Sequence, residues 1–117
     1  MKASLRSITA MIPAGGSLDE AIRFYTDELG FAVTWQAGNM AGIERDGVGF
    51  NLVVNTNRAW AENASFSIAV SDVDALYAEY GRTSARVGPL EEKPWGRREF
   101  HMIVPSGVCL QFYQAGT

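Results

Sequence analysis

The chain has 117 residues, 47% hydrophobic and 20% charged, a balance that excludes a disordered or collagen-like polymer and suits a single folded domain. Its formal net charge of −3 lacks the basic excess of a nucleic-acid binder. No apolar run approaches the roughly 20 residues of a membrane-spanning helix, and Met1–Arg6 has no signal-like apolar stretch, so a cytoplasmic location is expected.

Ser17-Leu18-Asp19-Glu20 reads as a capping box, in which the Ser17 hydroxyl accepts from the Glu20 backbone N–H. Leu18, Ala21, Ile22, Tyr25 and Leu29 follow at helical spacing, and Gly30 is a stop. The spacing predicts a helix over about 18–29. Phe31–Gln36 alternates as a strand, Gly38-Asn39 turns, and Met40–Arg45 is a second strand. Asp46-Gly47 is a hairpin signal that leads into a third strand, Val48–Asn55. Asn57–Asn63 reads as a loop holding Trp60, and Ser65–Val70 as a strand. Asp72 caps a second helix, with Val73, Leu76, Tyr77 and Tyr80 as its apolar face and Gly81 as its stop. A charged loop with prolines, Gly88–Gly96, leads to a strand over about 97–104. Ser106-Gly107 then turns into a last strand, Val108–Gln114.

The order is strand, helix, three strands, and then the same again. Ser17-Leu18-Asp19 is echoed by Asp72-Val73-Asp74, and Gly47-Val48-Gly49-Phe50-Asn51-Leu52 by Gly107-Val108-Cys109-Leu110-Gln111-Phe112. A duplicated βαβββ unit explains both echoes. Module one then covers about 1–57 and module two about 58–117.

Three segments carry a family resemblance. They are Leu18–Tyr25 with Glu28–Phe31, Asp72–Glu79, and Pro94–Phe100 with Val104–Gly107. With them the chain resembles the vicinal oxygen chelate superfamily, which includes glyoxalases, extradiol dioxygenases and bleomycin-resistance proteins. The Pro94-Trp95-Gly96 stretch is most similar to the bleomycin-resistance subfamily. The chain departs from the pattern by an extra residue at Ala14-Gly15-Gly16, and by Val104 and Val108 where the family's turn usually carries Asp and Asn. The resemblance implies an α+β fold of two tandem βαβββ modules curling their sheets into an open, cup-shaped cleft.

The superfamily's metal enzymes hold a divalent ion there through His, Gln and Glu. The resemblance puts those positions near Thr9 or Ala10, at Asn51, at Ser65 and at Gln111. None is His or Glu, and neutral amides and hydroxyls are weak ligands. No metal and no cofactor is therefore expected. His101 is the only histidine and Cys109 the only cysteine, too few for a structural zinc site or an intrachain disulfide. Glu99 lies on the same strand face as His101. His101 reads either as a ligand-facing or proton-donating group or as a sheet histidine bonded to its neighbours. Cys109 reads as a small buried thiol. Arg97-Arg98, with Lys93 nearby, reads as solvated surface charge. No nucleophile elbow surrounds Ser106, and Gly15-Gly16 lacks a phosphate-loop pattern.

Trp35, Trp60 and Trp95 lie at strand ends or in loops, where an indole can stack on a flat ligand. The resemblance puts Trp35 and Met40 where bleomycin-resistance proteins carry aromatic crevice residues. If Asn51 and Gln111 face the cleft, alternation sends Gly49, Val53, Cys109 and Tyr113 there too. Phe50, Leu52, Leu110 and Phe112 then go under the helices. Ser65, Ser67 and Ala69 likewise line the cleft. The expected ligand site joins Trp35, Met40, Trp60 and Trp95 for stacking with Asn51, Ser67, His101 and Gln111 for hydrogen bonding. The function expected is sequestration of a planar or aromatic antibiotic or metabolite by a homodimer, with no nucleic acid and no membrane involved. The alternatives are a lyase- or isomerase-like enzyme using His101, and a metabolite-binding accessory protein.

Overall fold

A computed structural model describes residues 2–116. Strand β1 (Ala10–Pro13) leads to helix α1 (Leu18–Arg23), then β2 (Ala32–Ala37), β3 (Met40–Arg45) and β4 (Val48–Val53). Helix α2 (Arg58–Asn63) links these to β5 (Ser65–Val70) and α3 (Val73–Tyr80). The chain ends with β6 (Arg86–Val87), β7 (Glu91–Glu92), β8 (Arg98–Ile103) and β9 (Cys109–Gln114). The fold is α+β, with two open sheets. One runs β1-β4-β3-β2, the other β5-β9-β8-β6, and β7 also pairs with β8. In each sheet the first strand is parallel to the last, and the other pairs are antiparallel. The two sheets are thus two copies of one pattern.

Local chemistry sets the boundaries. The Ser17 hydroxyl accepts from Glu20 N–H at 3.2 Å and Asp72 Oδ1 from Ala75 N–H at 3.0 Å, so both predicted caps form. Asp46 and Gly47 both adopt positive φ, +52° and +82°, as the tight β3–β4 hairpin requires. The first helix differs from the α-helix expected over 18–29. From Phe24 to Glu28 it widens into a π-turn, and the Thr26 hydroxyl bonds back to the Ile22 carbonyl at 2.9 Å. The predicted loop at Asn57–Asn63 is a helix, α2. Asn57 caps it by accepting from Trp60 N–H at 3.1 Å. The predicted loop Gly88–Gly96 contains β7. Pro89 separates the two short strands β6 and β7, and Pro94 follows β7, because proline cannot donate to a ladder.

The helices cover the convex side of both sheets. Period-2 alternation buries Ile43, Phe50, Leu52, Phe100, Met102, Leu110 and Phe112 there, each at most 4% exposed. Phe100 and Phe112 stack at 5.2 Å, with Tyr77 and Tyr80 edge-on against them. Phe50 meets Phe66 at 5.8 Å and carries the aromatic core across the junction of the sheets. Arg45 closes that junction. Its guanidinium donates to both Glu79 carboxylate oxygens at 2.7 and 3.0 Å, and to the Leu29 carbonyl at 2.9 Å. The opposite, concave sides of both sheets are left for other work.

Candidate functional site

Strand register places residues in rows across each concave face. In the first sheet one row reads Met11, Asn51, Gly42, Trp35. The next reads Pro13, Val53, Met40, Ala37. The bulge at Thr34 brings Trp35 onto this face. Gly42 is the floor under the indole. A Cβ added there would meet Trp35 Nε1 at 2.2 Å, so only glycine lets the ring lie down. Met11 and Trp35 remain 44% and 41% exposed, an apolar shelf open to solvent.

In the second sheet the matching row reads Ser67, Gln111, His101, and Gly88 donates its N–H to the His101 carbonyl at 2.8 Å. Gln111 is held at both amide atoms. Its Nε2 donates to Ser65 Oγ at 2.9 Å and its Oε1 accepts from Ser67 Oγ at 3.0 Å. The neighbouring row reads Ala69, Tyr113, Glu99, Glu91. Glu99 is only 2% exposed, although it sits on the open face. Trp95 covers it, donating its indole N–H to Glu99 Oε1 at 2.8 Å. A buried carboxylate without such a donor is costly, so this bond also pins an indole that is itself 66% exposed. His101 Nε2 lies 3.5 Å from the other Glu99 oxygen. Arg97 lies flat over Tyr113, with its guanidinium carbon 3.7 Å from the ring centre.

Charge on this face is mostly paired. Lys93 hydrogen-bonds Glu91 and holds that carboxyl below the usual carboxylate range. Burial pushes the Cys109 thiol up, and a hydrogen bond with Gln111 opposes that shift. Cys109 is therefore a poor nucleophile.

Six of the eight predicted site residues fall on these two faces. Trp35, Met40 and Asn51 share the first, and Ser67, His101 and Gln111 the second. Trp95 joins the second face through Glu99. Trp60 sits half-buried on α2, in neither sheet's rows. The faces expected for Gly49, Val53, Cys109 and Tyr113 are the ones observed. On the first strand, Met11 rather than Thr9 or Ala10 stands in line with Asn51, because Ala10 pairs with Phe50 on the convex side. Two residues beside the site have no place in the expected ligand site, Met11 and Arg97, and Tyr113 was expected on this face without a ligand role. The signal for Arg97 was available, since Arg97, Glu99 and His101 alternate. Cavities of about 400, 260 and 240 Å³ lie elsewhere, and none of the eight predicted residues lines them. The two faces are open shelves, not an enclosed pocket.

The donors at the family's metal positions are a thioether (Met11), two amides (Asn51, Gln111) and serine hydroxyls. With the Gln111 amide already bonded on both sides, these groups do not fit a divalent ion. No cluster of three or more His, Cys, Asp or Glu suited to a metal occurs among the described residues.

A family model described as the Glyoxalase/Bleomycin resistance protein/Dioxygenase superfamily matches residues 11–112. The chain belongs to this superfamily. Among curated proteins none matches it significantly in sequence. Among solved structures it is similar to the bleomycin-binding protein of bleomycin-producing Streptomyces verticillus, solved with copper(II)-bleomycin. That likeness has 27% identity and a TM-score of 0.80, over 97% of this chain and 100% of that one. It also resembles the bleomycin resistance determinant encoded on the transposon Tn5, with 19% identity and a TM-score of 0.83, over 97% and 100%. A third is TnmS3, an antibiotic binding protein of Streptomyces sp. CB03234, with 20% identity and a TM-score of 0.75, over 97% and 100%. The last two likenesses concern the fold alone. No helix among the described residues is long and apolar enough to cross a membrane.

Proposed function

We propose that this superfamily member is a small-molecule binding protein that sequesters a flat aromatic ligand, an antibiotic or a related metabolite, without chemical conversion. One observation carries this reading. Two solvent-exposed indoles are held in place by the protein itself, Trp35 on the Gly42 floor and Trp95 on Glu99. Aromatic rings kept rigid and exposed are platforms for stacking, because little entropy is lost when a ligand arrives. Asn51, Ser67, His101 and Gln111 supply hydrogen bonds beside them. The bleomycin bound in one similar structure, and the antibiotic binding of another, support a small-molecule antibiotic as the ligand. The shelves are open in one chain, and their exposed Met11, Trp35 and Trp95 favour a homodimer in which the first sheet of one copy faces the second sheet of the other.

Titration of planar aromatic antibiotics, followed by tryptophan fluorescence, tests this reading. Saturable binding at one ligand per subunit without turnover is expected. Trp35→Ala and Trp95→Ala should each weaken it about tenfold, the worth of one stacking contact. Affinities unchanged in both variants would remove the stacking role.

A second reading has the His101–Glu99 contact at 3.5 Å in its favour. There His101 transfers a proton in a lyase or isomerase reaction. Product formation that is lost in His101→Ala would select it over sequestration.

A further inference from the structure

Resting on the reading of the concave faces as a ligand site, we infer that Arg97 is a specificity residue that selects aromatic ligands carrying an anionic group. The observations are geometric. Arg97 stacks on Tyr113 at 3.7 Å, so one face of its guanidinium plane is used and the donors on its edge are not. Among the described residues no carboxylate lies within ion-pair distance of it, whereas Lys93 is taken by Glu91 and Arg98 by Asp74. The carboxylates on the same face are occupied. Glu91 holds Lys93, and Glu99 accepts from Trp95 and faces His101.

Trp95 is anchored on Glu99 and Arg97 lies on Tyr113, the cross-strand partner of Glu99, with His101 two residues further along the strand, so an indole, a guanidinium, a buried acid and an imidazole share one corner of this face. A flat ligand lying on Trp95 therefore has Arg97 at its rim. A carboxylate, sulfonate or phenolate there can accept two parallel N–H bonds from the fork. Tyr113 keeps the fork from swinging away, which lowers the ordering cost. The first sheet's shelf offers no comparable group. Its central rows are Met11, Asn51, Gly42 and Trp35, then Pro13, Val53, Met40 and Ala37. The ligand class that fits both faces is amphipathic, with an apolar aromatic body and an acidic edge.

Two dyes of one skeleton test this. Anilinonaphthalene sulfonate carries a sulfonate, and N-phenylnaphthylamine is its neutral counterpart. Binding of each to the full chain is followed by energy transfer from tryptophan, with Trp95→Ala reporting whether the dye sits on this face. The sulfonate dye should bind about five- to tenfold tighter. Arg97→Gln should abolish that preference and leave the neutral dye and the melting temperature unchanged. Arg97→Lys, which keeps the charge but not the fork, should retain part of it. Equal binding of the two dyes at the Trp95 face, or a preference that survives Arg97→Gln, overturns the role of Arg97 and leaves the ligand site standing. Binding of neither dye, or binding indifferent to Trp95→Ala, counts against the ligand site and the inference together.

Discussion

The two sheets share strand order and register, yet their concave faces have been furnished in opposite ways. At the centre of each stands an amide, Asn51 in one and Gln111 in the other. Beside Asn51 the next strand carries Gly42 and the edge carries Trp35. Beside Gln111 the next strand carries His101, and Gly88 is bonded at the edge. The bulky residue and the glycine have exchanged places. On the parallel-strand side Met11 stands against Ser67. One face becomes an apolar shelf and the other a row of donors. The convex faces show no such divergence, because both must bury phenylalanine and aliphatic side chains under helices. Burial constrains one side of each sheet and leaves the other free to specialise.

The largest effects should therefore come from the convex sides, and equally from each. Phe50→Ala and Phe100→Ala remove rings that are 4% and 0% exposed. Each should cost about 3–5 kcal/mol in urea unfolding. Trp35→Ala and His101→Ala, on the open sides, should cost under about 1 kcal/mol. A concave substitution as damaging as a core one would break the division between a structural and a free face.

The exchanged glycines give the next largest contrast. Gly42→Ala drives a Cβ into the Trp35 indole and the Thr34 hydroxyl, at 2.2 and 2.7 Å. It should cost about 1–3 kcal/mol as the ring is lifted, with a shift in tryptophan emission. Gly88→Ala meets only the His101 carbonyl oxygen, at 3.6 Å, an ordinary contact. That change should lie within about 0.5 kcal/mol of the parent. Equal losses at both positions would mean that Gly42 is no special floor.

These contrasts also explain what the sequence made legible. Alternation assigned the faces of β4, β5 and β9 correctly, because one side of each strand is uniformly apolar. Caps at Ser17 and Asp72 and the Asp46-Gly47 turn were readable because their chemistry is local. The π-turn at Phe24–Glu28 was not, since its residues keep a helical pattern. Helix α2 was missed because Arg58–Asn63 has no apolar stripe, and only the Asn57 cap marks it. In the site, Trp35 and Trp95 could be picked as exposed aromatics. Their supports, Gly42 and Glu99, could not, because each acts through a partner across a strand or a turn. Arg97 is exposed, as its reading as surface charge expects, but its contact with Tyr113 was not legible because the two are 16 positions apart.

The junction between the two sheets can be probed by alkali. Burial pushes the Tyr80 hydroxyl up to about 12, with Arg45 pulling the other way, and burial raises Tyr25 further still. The folded pKa of Tyr80 lies above its ordinary 10.0, so its stabilisation is complete below about pH 10 and is lost as pH rises towards 12. The unfolded chain gives up that proton more readily, so high pH favours unfolding. Absorbance at 295 nm should show these two phenols ionising late and together with unfolding. Tyr80→Phe, which loses its bond to the Leu29 carbonyl, should cost about 1 kcal/mol at neutral pH and flatten the decline above pH 10. An early, reversible titration of Tyr80 in the folded state would contradict its burial.

The mildest probe is Cys109, which stands beside Ser65 and Ile103 on the donor-rich face. Its raised thiol pKa leaves little thiolate at neutral pH, so iodoacetamide should modify it more slowly than a free cysteine. Cys109→Ser should change stability by less than about 1 kcal/mol. The informative measurement is protection. Cys109 is one row beyond Gln111, on the side away from Glu99 and Trp95, so a ligand that reaches past Gln111 towards Ser65 should slow alkylation further. A ligand confined to the Trp35 shelf of the same chain should leave the rate unchanged. The alkylation rate thus reports whether a bound molecule reaches this end of the donor-rich face.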